Sequence, residues 1–124
     1  MSINISTTYI DNKAEFGVKE NIVHLSGIVD QRNPQEFLNI FFNRIKEEVS
    51  QEKLNEISFD ITNLNFLNSS GLKALLNWII ALSKLKKEDK FKIVFLCSKE
   101  ILWQKRSLMP LSLIAPDIVI LKII

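Results

Sequence analysis

Apolar residues recur along this chain with two different periods, and the period changes several times. Five segments have the alternation, or the nearly continuous apolar character, that is typical of β-strands: residues 14–19, 21–27, 57–61, 91–97 and 117–124. Only a polar break at Glu20 separates the first two, so we predict that they form a hairpin. Residues 91–97 are apolar at almost every position, which is typical of a strand buried on both faces.

Three other segments repeat their apolar residues at helical spacing. The first begins near Asn33, a predicted N-cap, with Pro34 at the first helical position. The second is predicted from about residue 70 to residue 86. Its apolar surface covers two neighbouring arcs, so this helix is either deeply buried or contacts a partner. Residues 101–115 predict a short helix that is broken near Pro110.

The order of these elements predicts the fold class. Strands at the start are followed by helix, strand, helix, strand, helix and strand, which is typical of an α/β domain. We predict a mixed, mostly parallel sheet of four to five strands with helices packed against it. The 124 residues, 47% apolar and 24% charged, favour one folded domain. Residues 14–124 would form this domain, with residues 1–13 as an N-terminal segment that supplies a first strand or an arm.

Composition excludes several functions. The net charge of +2 comes from basic groups that are scattered rather than clustered, so nucleic acid binding is not predicted. The chain has neither a bilayer-spanning apolar run nor a secretory signal, so we expect a cytoplasmic protein that is not in a membrane. Cys97 is the only cysteine and His24 the only histidine, so we expect no disulfide, metal or cofactor, and Cys97 as a buried apolar residue.

The stretch FDITNLNFLNSSGLKALL, residues 59–76, is the candidate site, because it joins a predicted strand end to the start of the second helix. Exposed amides at that helix start, next to Gly71, would favour an anion. A phosphate on Ser69 would place about two negative charges beside the positive end of the helix dipole. Alternatively, Ser69 or Ser70 is simply the N-cap. The helix is predicted to start near Ser70, and the spacing alone favours the capping interpretation over a modified Ser69.

The same stretch resembles the signature region of STAS domains, the fold of bacterial anti-sigma-factor antagonists and of the cytoplasmic tails of sulfate transporters. There, a strand ending in a hydrophobic-Asp-hydrophobic pattern precedes an Asp-Ser-Ser-Gly-Leu type motif that opens a helix. FDI at 59–61 and SSGL at 69–72 match this pattern, and Asn68 stands where the family usually has aspartate. The segment WQKRSL, 103–108, is also similar to a small group of STAS-like regulators found in cyanobacteria and other bacteria.

The resemblance implies a non-catalytic regulatory domain that binds proteins in a bacterial partner-switching or signalling pathway. It implies that Ser69, or alternatively Ser70, is phosphorylated by a serine kinase related to anti-sigma factors and restored by a phosphatase. The residues expected to contact the partner are Asn68, Ser69, Ser70, Gly71, Lys73, Asn77 and Trp103.

Other interpretations of the same residues stay open. Trp103 could anchor a partner or simply cover the edge of the core, and Lys105 and Arg106 could pair with a phosphate on Ser69. The chain could be a constitutive scaffold or a homodimer that uses the apolar face of the second helix, or a STAS-like sensor of nucleotides or lipids. An enzyme is disfavoured because we expect His24 to lie in a strand distant from Asp60, which leaves no catalytic group near the serines.

Overall fold

The computed structural model of the protein describes residues 2–124. Its strands are β1 (Ile5–Ile10), β2 (Ala14–Lys19), β3 (Ile22–Val29), β4 (Glu56–Asp60), β5 (Leu64–Leu67), β6 (Lys92–Cys97) and β7 (Val119–Ile123). Its helices are α1 (Gln35–Glu52), α2 (Ser69–Ser83) and α3 (Leu102–Ile114), with a 3-10 turn at Lys87–Asp89. The predicted α/β class and alternating element order are confirmed.

The strands form one mixed sheet in the order β1-β2-β3-β4-β6-β7, with β5 paired to the end of β3. β1, β2 and β3 are antiparallel neighbours, whereas all pairings beyond β3 are parallel. The mostly parallel sheet is thus confirmed, with more strands than the four to five expected. One added strand, β1, lies within residues 1–13 and pairs along β2; the other is the short β5.

Two tight turns set the register of the antiparallel part. The predicted hairpin around Glu20 is present, and Glu20 and Asn21 both have positive φ, at 50° and 69°. Asp11 and Asn12 turn β1 into β2 in the same way, with φ of 51° and 56°. Two consecutive residues of positive φ match the right-handed twist of the flanking strands.

All three helices contribute to a single cluster of buried side chains. The crossovers from β3 to β4, β4 to β6 and β6 to β7 all advance in the same direction, and right-handed crossovers of this kind place their helices on the same face of the sheet. Aromatic rings pack between the sheet and the helices. The ring centroids of Phe16 in β2 and Phe41 in α1 are 4.6 Å apart, and those of Phe59 in β4 and Trp78 in α2 are 5.7 Å apart.

The broad apolar surface of α2 is explained by burial on two sides. Ile79 and Leu82 are buried in the sheet-facing core, and Trp78 stacks on Phe42 of α1 with the ring centroids 5.0 Å apart. Of the two outcomes that the sequence left open for this helix, deep burial within the chain therefore accounts for most of its apolar residues.

Two predicted helix boundaries are wrong. No side chain caps the start of α1, where Pro34 precedes the first helical residue, so the Asn33 cap is not formed. The expected break near Pro110 is also absent, because α3 continues through it. Pro110 lies on the exposed side of α3, where water can bind the carbonyl that has lost its helical donor.

Candidate functional site

The loop between β4 and α2 lies at the carboxyl ends of the parallel strands. β4 ends at Asp60, whose carboxylate accepts hydrogen bonds from the Thr62 backbone N–H at 3.0 Å and from the Thr62 hydroxyl at 2.6 Å. These bonds stabilise a turn, after which β5 extends beside the last residues of β3. The chain enters α2 directly from β5, so the start of this helix lies at the sheet edge where α/β domains commonly bind ligands.

Asn68 is the N-cap of α2. Its Oδ1 accepts a hydrogen bond from the Gly71 backbone N–H at 2.8 Å, and its Nδ2 donates to the Gln31 carbonyl at 2.7 Å. One amide therefore closes the helix start and fastens it to the loop after β3. The expectation that a serine would be the cap, with Ser70 at the helix start, is wrong, because the helix begins at Ser69 and the neighbouring asparagine has the capping role.

The two serines have different surroundings. Ser69 is exposed, while Ser70 is half-buried. Ser70 lines a polar cavity of about 260 Å³ between α1 and α2, together with Gln35, Asn39, Lys73, Ala74 and Asn77. Because Asn68 supplies the cap, neither hydroxyl is needed to close the helix, and Ser69 is the more exposed of the two.

Gly71 allows α2 to approach β5 closely. A Cβ atom at this buried position would lie 2.6 Å from Leu67 Cδ1 and 3.2 Å from Asn68 Oδ1. A larger residue would therefore require the Leu67 side chain to move and would crowd the capping oxygen. The predicted close approach of an anion to the backbone at Gly71 stays a prediction.

Two cationic side chains lie on the segments around Ser69. The residues that line the adjacent cavity include no aspartate or glutamate. Lys73 is exposed one helical turn after Ser69 and forms none of the ion pairs found among residues 2–124. Arg32 is also exposed and directly follows Gln31, to which Asn68 is hydrogen bonded. The side-chain amide of Gln31 is buried without a hydrogen-bond partner in the described part of the chain.

Gln104 contacts the loop from the other side, a role that no sequence pattern indicated. It is the only fully buried polar side chain among residues 2–124. Its Nε2 donates to the carbonyls of Ile61 at 2.6 Å and Leu64 at 3.0 Å, while its Oε1 accepts from the Ser98 N–H at 2.8 Å. The start of α3 thus donates hydrogen bonds to carbonyl groups around β5, on the side where β5 has no neighbouring strand.

Trp103 extends the same contact. It is half-buried, and its Nε1 donates to the Asn65 carbonyl of β5 at 2.9 Å. The indole donor is therefore satisfied within the chain, as the structural interpretation required, while part of the ring stays accessible. Lys105 and Arg106 are exposed on α3, and their pairing with a phosphate stays a prediction.

The remaining titratable candidates have simple environments. Cys97 is fully buried, and burial raises the pKa of its thiol to about 11, as expected of an apolar structural residue.

The expectation that His24 is distant from Asp60 is wrong, because β3 and β4 are adjacent and these two residues are register partners. The Asp60 carboxylate is nevertheless occupied by Thr62, and His24 contacts Thr7 instead. Among residues 2–124, no cluster of side chains could hold a metal ion, and no helix is both long and apolar enough to cross a membrane.

A mixed sheet with helices on one face, and a serine-bearing helix start at its carboxyl edge, is the arrangement of a STAS-like fold. A solved structure of an anti-sigma factor antagonist from Mycobacterium paratuberculosis is similar, with a TM-score of 0.51 and 20% identity over 94% of this chain and 88% of that one. The family model of the SiaC regulatory phosphoproteins matches residues 5–102, and the chain belongs to this family.

A second solved structure, SiaC of Pseudomonas aeruginosa, has a TM-score of 0.70 over 100% of this chain and 99% of that one, at 10% identity. At such identities the two structures support the fold alone. None of the curated proteins matches the chain. Family and fold together support a regulatory role that is exerted through protein partners, and the predicted STAS-like resemblance is confirmed.

Proposed function

We propose that the protein is a non-catalytic, cytoplasmic partner-switching regulator whose binding to a protein partner is controlled by phosphorylation of Ser69. The observation that carries this proposal is that Asn68 and Ser69 have different roles at the start of α2. Asn68 caps the helix, so the exposed Ser69 hydroxyl at the first helical position is not needed for capping.

The fold can accept a phosphate at this position with little rearrangement. The free amides of the first turn and the helix dipole favour an anion there. Lys73, one turn further along, and Arg32, in the loop that Asn68 contacts, add positive charge nearby. The modified and unmodified proteins would therefore share one fold and differ mainly in the charge of the exposed surface.

The partner would contact the surface around this serine. We define the switch surface as Asn68, Ser69, Ser70, Lys73 and Asn77, with Trp103 near its border. Gly71, which was also expected to contact the partner, is buried beneath this surface. A phosphate on Ser69 would repel an acidic or apolar partner surface and weaken the complex.

The partners that fit this role are a serine kinase of the anti-sigma-factor type, which would bind and modify Ser69, and a phosphatase that restores it. The direct test is to incubate the protein with the kinase encoded near it and to map the phosphate by mass spectrometry. We expect one phosphate on Ser69, none on the Ser69→Ala variant, and unchanged modification of the matched control Ser70→Ala. Phosphate on Ser70 instead, or no modification at all, would overturn the proposal.

A further inference from the structure

The two edges of the sheet differ in how well they are protected. β1 forms one edge, and its register against β2 shifts between Ile5 and Thr8, where the exposed residues are polar. Such irregular, polar edges resist pairing with other strands. β7 forms the other edge with the sequence VILKI, and its register against β6 is continuous. It has neither a bulge nor a proline, so it is a regular apolar edge.

The backbone of β7 has groups that point away from the sheet. The Ile93 N–H donates to the Ile118 carbonyl at 2.7 Å, and the Ile124 N–H donates to the Cys97 carbonyl at 2.9 Å. In a parallel ladder, the backbone groups of successive residues point alternately toward the neighbouring strand and away from it. The even-numbered residues of β7 therefore bond to β6, and the backbone N–H and C=O groups of Leu121 and Ile123 point outward. The Val119 N–H bonds to the Ala115 carbonyl at 2.9 Å, which leaves only its carbonyl for an outside partner.

Large apolar side chains are exposed beside this edge. On α3, which packs against β7, Leu102, Leu113 and Ile114 are 63%, 77% and 70% exposed. At the end of β7, Ile123 and Ile124 are 43% and 64% exposed. Exposed apolar residues that accompany an unpaired strand are typical of an interaction surface rather than of a solvated one.

We propose that this edge is a dimer interface, at which β7 of one chain pairs antiparallel with β7 of a second copy. A two-fold axis at Leu121 lets the two Leu121 residues exchange both backbone hydrogen bonds. It also places each Ile123 N–H against the Val119 carbonyl of the other copy. The pairing uses the outward N–H groups of Leu121 and Ile123 and the free Val119 carbonyl. The Val119 N–H is already bonded to the Ala115 carbonyl, so the outer pair of residues 119 and 123 makes one of its two backbone hydrogen bonds.

The side chains and charges are compatible with the same register. Lys122 falls opposite Ile120 of the second copy, so the two lysines do not face each other. The net charge of +2 gives only weak repulsion between copies. Because β7 is separated from β4 by β6, the switch surface would stay accessible in the dimer. The inference does not depend on phosphorylation of Ser69.

Sedimentation equilibrium across the micromolar to submillimolar range tests the interface. We expect a monomer–dimer equilibrium whose dissociation constant rises about tenfold or more in Leu121→Pro, which removes an outward N–H, and in Ile123→Lys. The matched control Ile40→Lys changes an isoleucine on α1 that is 72% exposed, and should dimerise like the unaltered protein. Circular dichroism identifies folded variants. A protein that stays monomeric throughout, or a dimer that both folded edge variants leave intact, would overturn the proposal.

Disulfide trapping tests the register. Residues 120 and 122 of opposite copies would form a non-hydrogen-bonded pair, with Cα atoms about 4.5 Å apart, within disulfide range. An equal mixture of Ile120→Cys and Lys122→Cys proteins should cross-link under mild oxidation far more than either variant alone, and the buried Cys97 should not interfere. Equal cross-linking in all three samples would reject this register.

Discussion

Replacing Gln104 should severely destabilise the protein. The change Gln104→Leu keeps a similar volume but removes the hydrogen bonds to the Ile61 and Leu64 carbonyls, 2.6 and 3.0 Å long, and the bond from the Ser98 N–H, 2.8 Å long. A buried group that loses its partner costs about 1–3 kcal/mol. The Ile61 carbonyl still accepts the Leu64 N–H at 2.9 Å, so the Leu64 carbonyl and the Ser98 N–H are the two groups that lose this partner, and we expect a loss of about 2–6 kcal/mol. That is a large share of the roughly 5–15 kcal/mol that stabilises a typical domain.

Urea denaturation followed by circular dichroism measures this loss from the midpoint and slope of the transition. A loss below about 1 kcal/mol would refute the reasoning, because it would mean that the Leu64 carbonyl and the Ser98 N–H find other partners or water. The conservative variant Gln104→Glu separates hydrogen bonding from packing. It keeps the acceptor for Ser98 and the shape of the side chain, but it loses both amide donors.

The Gln104→Glu variant should also be sensitive to pH. Burial and two facing carbonyls disfavour the charged form, so the introduced carboxyl would have a pKa above its unfolded value. A raised pKa means that the stabilisation is fully present at acid pH, where the carboxyl is protonated and donates to one carbonyl. It is lost as pH rises through the folded-state pKa. The stability gap to the unaltered protein should therefore widen between about pH 4 and pH 8, and a gap that narrows would contradict the assignment.

Three smaller predictions concern neighbouring residues. Asn68→Asp would keep a capping oxygen but place a carboxylate against the Gln31 carbonyl, so denaturation should show a loss of about 1–3 kcal/mol, and no loss would argue against the dual role of Asn68. Cys97, whose pKa burial raises to about 11, should react with iodoacetamide at neutral pH only after denaturant is added; rapid labelling of folded protein would contradict its burial. Trp103→Phe should cost only about 0.5–1.5 kcal/mol, since the Asn65 carbonyl can bind water instead; a larger loss in denaturation would point to a packing role.

The sequence predicted the parts of the fold that depend on local pattern. The hairpin around Glu20, the buried strand at 91–97 and the amphipathic helices follow from side-chain period, because burial on one face selects that period. β5 was missed because its four residues include exposed polar and aromatic positions, and its pairing with β3 is set by the fold. The helix through Pro110 was missed because an exposed helix face tolerates the lost hydrogen bond.

The candidate site was predicted in place but not in detail. The motif located Ser69 at a helix start, yet asparagine and serine are equally good caps, so the sequence could not decide which one closes the helix. The geometry decides it, because Asn68 accepts from the Gly71 N–H through Oδ1 and donates to the Gln31 carbonyl through Nδ2. The role of Gln104 depends on carbonyls about forty residues away, and no local pattern reports such a contact.

The affinity of the protein for its kinase or other partner, measured with Ser69 modified and unmodified, tests the central claim most directly. Titration calorimetry would compare the phosphorylated protein and Ser69→Asp with Ser69→Ala, using Ser6→Asp, at an exposed serine of β1 outside the switch surface, as the matched control for added charge. A negative charge at Ser69 should weaken binding about tenfold or more, equivalent to about 1.4 kcal/mol, and the same charge at Ser6 should not. Equal affinities for Ser69→Asp, Ser69→Ala and the phosphorylated protein would contradict it.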